Sequence, residues 1–247
     1  MTPKINILTL FPEAIYGMLG SSITGNALKN GIFELNCVQI RDFTQNKQRQ
    51  VDDYPYGGGM GMLMQADPLY RAWESVALKG KVHTVLMSAQ GHVYTQKDAR
   101  RLSLCDNLCI VCGHYEGVDR RFIDECVDEE ISIGDFVMTG GEIPALAVVD
   151  SIVRLLPGTL ADESCYTDES HWSGVLEYPH YTRPEEWHGK RVPDVLLSGH
   201  RENIRKWRRT QALLATRERR PDMFSALELT KEDLALLAAA DEKDSLL

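Results

Sequence analysis

A glycine-rich polar loop runs directly into a long apolar segment between Ile131 and Gly158. Pro144 opens the apolar part, and proline is well placed in the first turn of a helix. Apolar residues then recur at helical spacing from Ala145 to Leu156. Because glycine lets a backbone pass close to a ligand, the pattern predicts a buried helix whose leading loop lines a small-molecule site. The glycines of this loop are Gly134, Gly140 and Gly141.

This loop differs from the glycine-rich loops that cradle phosphates. The chain contains no GxxxxGKS or GxxxxGKT sequence, and no GxGxxG that follows a strand with an acidic residue about 20 positions on. A ligand held by backbone N–H and C=O groups is therefore favoured over a nucleotide phosphate.

Charge is distributed unevenly along the 247 residues. The whole chain has a net charge of −9, but residues 183–220 hold 11 Lys and Arg against 5 Asp and Glu. Such asymmetry is typical of a basic nucleic-acid-binding surface on an acidic protein. No stretch reaches the roughly 18 apolar residues of a membrane span, and the N-terminus lacks a signal-peptide pattern. We expect a cytoplasmic protein with reduced cysteines that binds neither membranes nor DNA.

Short apolar runs alternate with helical patterns over residues 5–127, which predicts an α/β domain with a largely parallel sheet. We place this domain at 1–158, a flexible linker at 159–178, and a helical domain at 179–247. In the helical domain, Arg201, Arg205 and Arg208 share one helix face. Thr230 and Asp233 form a capping pattern at the start of the last helix.

Three further segments are candidates for chemistry. GGGMGM at 57–62 follows VDDYPY, whose Asp52 and Asp53 offer hydrogen-bond acceptors. CGHYEG at 112–117 joins a strand end to a helix start, where open α/β sheets bind their ligands. The acidic run at 161–170 suits a mobile general base.

Cys105, Cys109 and Cys112 have the CxxxCxxC spacing of an iron–sulfur site. Cys109 and Cys112 fall in a predicted strand, where side chains three positions apart point to opposite faces. Three thiolates would then not converge on one cluster. We therefore predict core cysteines and no metal site.

Seven motifs follow one another in order across nearly the whole chain: FPE, VDDxPYGGGxGM, CGHYEG, SIGDFVMTGGEIPA, RLLPG, PHYTRP and SGHRENIRKWR. Together they resemble the bacterial tRNA (guanine-N1)-methyltransferases of the TrmD type, in the trefoil-knot (SPOUT) class. The number and order of the motifs make this resemblance specific, whereas a single glycine loop would not identify a family.

The resemblance implies an α/β sheet with a deep trefoil knot, followed by a small all-helical domain. It implies that S-adenosylmethionine donates a methyl group to N1 of guanine 37 in tRNA, 3′ of the anticodon and preceded by another guanine. It also implies a homodimer with active sites between subunits, and assistance from magnesium. Because neutral guanine carries a proton on N1, the transfer needs a base, and a cation stabilises the charge that develops on O6.

Matched by position, the resemblance assigns Glu169 as the base and Arg154 as the cation that faces O6. Asp52 and Gly61 are expected to contact the neighbouring guanine. The basic segment adds four expected tRNA contacts: Arg183, Arg201, Arg205 and Arg208. The expected donor pocket comprises Leu86, Met87, Ser88, Ala89, Gly113, Glu116, Ser132, Ile133, Gly134, Asp135, Phe136, Val137, Met138, Gly140 and Gly141.

Two features depart from the family pattern. Glu169 stands where the family usually has Asp, so the carboxylate reaches one methylene further, and Asp168 beside it is a rival base. Leu86 and Ala89 replace residues that are commonly Tyr and Pro. Two other functions stay open: a knotted ribose 2′-O-methyltransferase, which needs no mobile carboxylate, and a non-catalytic RNA-binding protein.

Overall fold

The computed structural model describes residues 2–78, 80–162, 164–167 and 169–244. Its contacts divide the chain into two compact units, Met1–Asp162 and Glu163–Leu247. The predicted linker at 159–178, with its two boundaries, stays a prediction. The rival base Asp168 lies outside the described residues.

The first unit alternates strands with helices. Its strands are β1 (Lys4–Thr9), β2 (Glu34–Gln39), β3 (Asp52–Asp53), β4 (Leu63–Met64), β5 (His83–Val93), β6 (Asn107–Cys112) and β7 (Glu129–Ser132). Its helices are α1 (Pro12–Leu19), α2 (Ser22–Lys29), α3 (Ala66–Ala77), α4 (Gln96–Leu102), α5 (Arg120–Cys126) and α6 (Glu142–Val153). A short 3-10 helix, Ile40–Phe43, follows β2.

Among the residues described, five strands form one sheet in the order β2-β1-β6-β5-β7, and every pairing in it is parallel. This confirms the predicted α/β class with a mostly parallel sheet. Parallel neighbours need crossover connections, and helices in those connections cover both faces of the sheet. The carboxyl ends of the strands therefore gather at one edge.

Side chains alternate between two apolar cores on opposite faces of this sheet. On β1, Ile7 lies in the core formed with α6, whereas Leu8 lies in the core formed with α3. Cys112 belongs to the first core and Cys109 to the second. The two thiols therefore point to opposite faces, as predicted, and burial raises the pKa of each.

The edge strand β7 is not predicted by the sequence, because Glu129 and Glu130 indicate a polar loop. In the fold, Arg101 donates to Glu129 at 2.8 Å, and His83 Nε2 lies 2.6 Å from the same carboxylate. Burial raises the pKa of Glu129, but these hydrogen bonds outweigh it and the net shift is downward. The charged edge strand is stable because Arg101 and His83, which are distant in sequence, form hydrogen bonds with Glu129.

The second unit is built mainly from helices. Its elements are α7 (Ser164–Thr167), β8 (Glu186–Trp187), β9 (Lys190–Arg191), α8 (Asp194–Leu197), α9 (Arg201–Arg219), α10 (Pro221–Ser225) and α11 (Lys231–Asp244). β8 and β9 pair antiparallel, so this unit is not all helical. His188 and Gly189 between them both have positive φ, which is the backbone of a type I′ hairpin turn.

The core of the second unit extends into the segment predicted as a linker. Val175 is buried, and with the partly buried Tyr178 it packs against Leu213 of α9 and Leu237 of α11. Leu176 N–H donates to Thr216 Oγ1 at 2.8 Å. The chain around 175–178 is therefore fixed against α9.

α11 begins with the predicted cap. Asp233 N–H donates to Thr230 Oγ1 at 3.1 Å, and Thr230 N–H donates to Asp233 Oδ2 at 3.0 Å. Arg209 of α9 donates to both carboxylate oxygens of Asp233, at 2.7 and 3.0 Å. Asp233 is only 2% exposed, and the Arg209 guanidinium holds its pKa well below the usual range. A buried ion pair thus joins α9 to α11.

Replacing Asp233 with alanine removes the cap and leaves Arg209 without its carboxylate partner. We expect the free energy of unfolding of the second unit to fall by about 2–4 kcal/mol, measured by urea unfolding. Asp222→Ala is the matched control, because the Asp222–Arg220 pair is exposed and should matter far less.

The same experiment has a pH dependence. Because the folded-state pKa of Asp233 is depressed, its contribution is present above about pH 4 and is lost as the pH falls below that value. Equal losses in the two variants, or a difference between them that persists at low pH, would contradict this account.

Candidate active site

The carboxyl ends of β5, β6 and β7, with the loops that follow them, enclose a pocket of about 410 Å³. Open parallel sheets bind ligands at this end. Of the residues expected to hold the donor, all but Asp135 line this pocket: Leu86, Met87, Ser88, Ala89, Gly113, Glu116, Ser132, Ile133, Gly134, Phe136, Val137, Met138, Gly140 and Gly141. Segments far apart in sequence therefore meet around one cavity.

β5 contributes a bulged loop to the pocket. Met87 and His92 both pair with Ile131 of β7, so residues 88–91 loop out between the two pairings. A bulge of this kind re-aims backbone and side-chain groups. Within this loop, Gly91 lies so close to β7 that a Cβ would be 2.4 Å from the carbonyl carbon of Glu130. β5 consequently continues past Met87, where the apolar pattern predicts its end.

Gly141 brings the start of α6 onto the end of β6. Its N–H donates to the Gly113 carbonyl at 2.9 Å, and a Cβ at Gly141 would lie 2.6 Å from the Cα of Cys112. Only glycine fits so close an approach. α6 begins at Glu142 with Pro144 in its first turn, and it ends at Val153. The helix therefore starts and ends a turn or less before the predicted bounds.

A buried carboxylate behind this glycine turn is not predicted by the sequence. Glu142 is 9% exposed. The Thr9 hydroxyl donates to its Oε1 at 2.6 Å, and His114 Nε2 lies 2.7 Å from its Oε2. Burial raises the pKa of Glu142, but the hydrogen bonds from His114 and Thr9 outweigh it, so the net shift is downward. Because an ionised carboxylate only accepts hydrogen bonds, the shared proton lies on His114 Nε2.

The His114 ring supports the wall of the pocket. A Cβ at Gly140 would lie 2.3 Å from His114 Cε1, and the ring meets Phe11 edge-on with 5.4 Å between centroids. The chain Thr9–Glu142–His114 thus links the end of β1 to the glycine turn. The sequence shows only a glutamate at a helix start, where acids are common, and a loop histidine.

The GGGMGM loop adjoins the pocket through Gly61. Glu116 N–H donates to the Met62 carbonyl at 2.9 Å. A Cβ at Gly61, where φ is +85°, would lie 2.4 Å from Glu116 Cγ. The expected donor loop and the expected guanine loop therefore touch at Glu116. Asp52 lies in β3, paired with Met64, outside the pocket wall.

The remaining expected residues lie elsewhere. Arg154 is the half-buried C-cap of α6, and Glu169 is a half-buried residue of the second unit. The four expected tRNA arginines are all exposed: Arg183, Arg201, Arg205 and Arg208. Arg205 is already bonded to Glu202 at 2.9 Å and to Glu232. The helix face that the sequence predicts as basic is therefore partly neutralised.

In the part of the chain that the structure describes, no three His, Cys, Asp or Glu side chains converge to hold a metal ion. Across those residues, no helix combines the length and apolar character that crossing a membrane requires.

Gly141→Ala should weaken binding of S-adenosylmethionine by at least roughly tenfold, or about 1.4 kcal/mol. The added Cβ collides with the Cys112 backbone and moves the turn that lines the pocket. Gly17→Ala on α1 is the matched control, because nothing lies within 4 Å of a Cβ there. Calorimetric titration measures the affinities and circular dichroism checks the fold. If Gly141→Ala folds and binds S-adenosylmethionine with wild-type affinity, this turn is not part of the donor site.

The chain is similar to known proteins over nearly its whole length. The family described as tRNA (Guanine-1)-methyltransferase TrmD matches residues 3–226. The tRNA (guanine-N(1)-)-methyltransferase of Clostridium perfringens is 53% identical over 234 residues, which cover 95% of this chain and 98% of the relative. The enzyme of the same name from Ruminiclostridium cellulolyticum is 50% identical, over 91% of this chain and 97% of the relative. The one from Desulforamulus reducens is 48% identical, over 95% of this chain and 93% of the relative. This chain therefore belongs to the TrmD family of tRNA (guanine-N1)-methyltransferases.

Proposed function

We propose that this protein transfers the methyl group of S-adenosylmethionine to N1 of guanine 37 in tRNA when another guanine precedes it. Family membership supports methyl transfer to guanine N1 of tRNA, with S-adenosylmethionine as the donor. The observation that carries the proposal is the glycine-lined pocket at the carboxyl ends of three parallel strands. Its volume of about 410 Å³ lies within the range of small-molecule sites.

The pocket wall suits a nucleoside with a charged tail. Leu86, Ile133 and Phe136 offer apolar contacts to a flat purine, and the glycine turns expose backbone donors and acceptors. The Glu116 carboxylate suits the ammonium group of the donor. Magnesium would need only one or two carboxylates together with water, and Glu116 and Glu130 are the acids in this wall.

The chemistry assigns one task to each of two residues. Glu169 takes the proton from guanine N1, and the electron pair left on N1 attacks the methyl carbon. The carbon–sulfur bond breaks, which leaves S-adenosylhomocysteine. Arg154 stabilises the negative charge that develops on O6. The methyl group itself needs only in-line placement.

The same proposal includes a trefoil knot in the first unit and a homodimer with shared active sites. Exposed apolar side chains adjoin the donor pocket: Phe136 is 55% exposed, Val137 87% and Ile143 62%. Exposed apolar side chains beside a pocket are typical of protein interfaces and support this part of the proposal. A second copy of the chain is the partner that the family relationship supports.

The test is an incubation of purified protein with labelled S-adenosylmethionine and unmodified tRNA transcripts. Label should enter a transcript with guanines at positions 36 and 37, and should not enter one with adenine at 37. A ribose 2′-O-methyltransferase would label both transcripts. A non-catalytic RNA-binding protein would label neither, and either result would overturn the proposal.

Substitutions of Arg154 and Glu169 distinguish effects on catalysis from effects on binding. Arg154→Ala should keep donor binding and lower kcat by about 10²–10³-fold, the usual cost of one oxyanion donor. Glu169→Gln should bind donor and tRNA but lose proton removal. Glu169→Asp should stay substantially active, since aspartate is the residue that the family usually has there. An inactive Asp168→Asn beside a fully active Glu169→Gln would identify Asp168 as the base instead.

Salt dependence tests the basic helix α9. Arg208→Ala should weaken tRNA binding and reduce the slope of log K against log salt by about one unit. Arg205→Ala should do so much less, because Glu202 and Glu232 already engage that guanidinium. Filter binding at several salt concentrations gives both slopes. The reverse order would show that tRNA displaces the two glutamates and that Arg205 is the phosphate contact.

A further inference from the structure

Methyl transfer does not account for an aromatic surface on the second unit, formed by Tyr178, His180, Tyr181, Trp207 and Arg208. The Tyr178 and His180 rings lie 4.6 Å apart between centroids, and the Tyr181 and Trp207 rings lie 6.4 Å apart. The Arg208 guanidinium lies 4.9 Å from the centre of the Tyr178 ring. Aromatic rings from residues 178–181 and from α9 therefore lie together with one arginine.

This aromatic surface is held rigidly from behind. Tyr178 packs on the core of the second unit with Val175 and Leu213. Trp207 and Arg208 are carried by α9, a helix of 19 residues. His180 is held by Glu177, whose Oε1 lies 3.0 Å from the ring Nε2. Binding to this surface would order few additional side chains, so little conformational entropy would be lost.

Tyr181 is 48% exposed. A single exposed aromatic residue needs no explanation. Tyr181, however, is placed beside a tryptophan, and residues 179–191 that carry it are exposed throughout. Its ring therefore offers a partly exposed, flat apolar face beside Trp207.

Positive charge is concentrated in the part of the chain that carries Trp207 and Arg208. Residues 183–220 hold 11 Lys and Arg against 5 Asp and Glu. Among the residues described, Arg201 and Arg208 have no carboxylate within salt-bridge distance, in contrast to Arg205. Exposed aromatic rings beside an uncompensated arginine are the combination that binds unpaired nucleic acid, where bases stack and phosphates meet cations.

We propose that Tyr181 stacks on an unpaired base of the tRNA while Arg208 contacts a phosphate beside that base. This inference rests on the proposed function, because it takes tRNA as the substrate. It assigns Tyr181 to substrate binding and gives it no part in the chemical step. A base on Tyr181 would fix the tRNA on the second unit through a contact that salt screens weakly.

Tyr181→Leu and Tyr181→Gln should raise KM for tRNA about 5- to 100-fold, the range found when one stacking ring is removed. Their kcat should stay within about twofold of wild type at saturating tRNA, because the ring takes no part in the chemical step. Tyr181→Phe is the matched control, because it removes the hydroxyl and keeps the ring. It should bind tRNA as wild type does, and all variants should bind S-adenosylmethionine equally.

The outcomes separate this inference from the proposed function. If the wild type methylates guanine 37 and Tyr181→Leu keeps a wild-type KM, stacking is overturned and the function stands. If the wild type does not methylate but its tRNA binding depends on the ring at 181, the proposed function fails and the stacking contact stands. If Tyr181→Leu dissociates the protein in sedimentation while tRNA binding per folded subunit is unchanged, the surface is a protein interface and the inference is wrong.

Discussion

The pocket depends on the close contact between Gly141 and the end of β6. The hydrogen bond from Gly141 N–H to the Gly113 carbonyl, at 2.9 Å, joins the start of a buried helix to the carboxyl end of a central strand. A side chain at Gly141 would meet the Cys112 backbone. This contact brings the loop at 132–141 over the sheet edge, so that strands β5, β6 and β7 share one cavity. Without it, the same residues would form separate loops.

The hydrogen-bonded chain Thr9–Glu142–His114 also stabilises this glycine turn. A buried ionised carboxylate is costly unless hydrogen bonds satisfy it, and Thr9 and His114 supply those bonds at 2.6 and 2.7 Å. β1, β6 and α6 are thereby tied together directly beneath Gly140. The position of the pocket wall is thus determined by the core of the sheet rather than by the exposed loops, as an in-line methyl transfer requires.

Local patterns in the sequence predicted much of this fold. The apolar run from Ala145 predicted α6, and the alternation of strands and helices predicted the parallel sheet. Fourteen of the residues that the family resemblance assigns to the donor line one pocket. β7 and the bulge in β5 were not predictable, since partners distant in sequence create them: Arg101 and His83 for Glu129, and Ile131 for residues 88–91. For the same reason the burial of Glu142 was not predictable.

We propose that S-adenosylmethionine binds between the three loops around Gly141. Backbone hydrogen exchange, measured with and without the donor and in the absence of tRNA, reports on those loops. Exchange should slow together in residues 86–91, 113–117 and 132–141, because donor atoms occupy the space between those amides. Protection confined to the second unit, or spread over the first unit with no excess in these three segments, would contradict it.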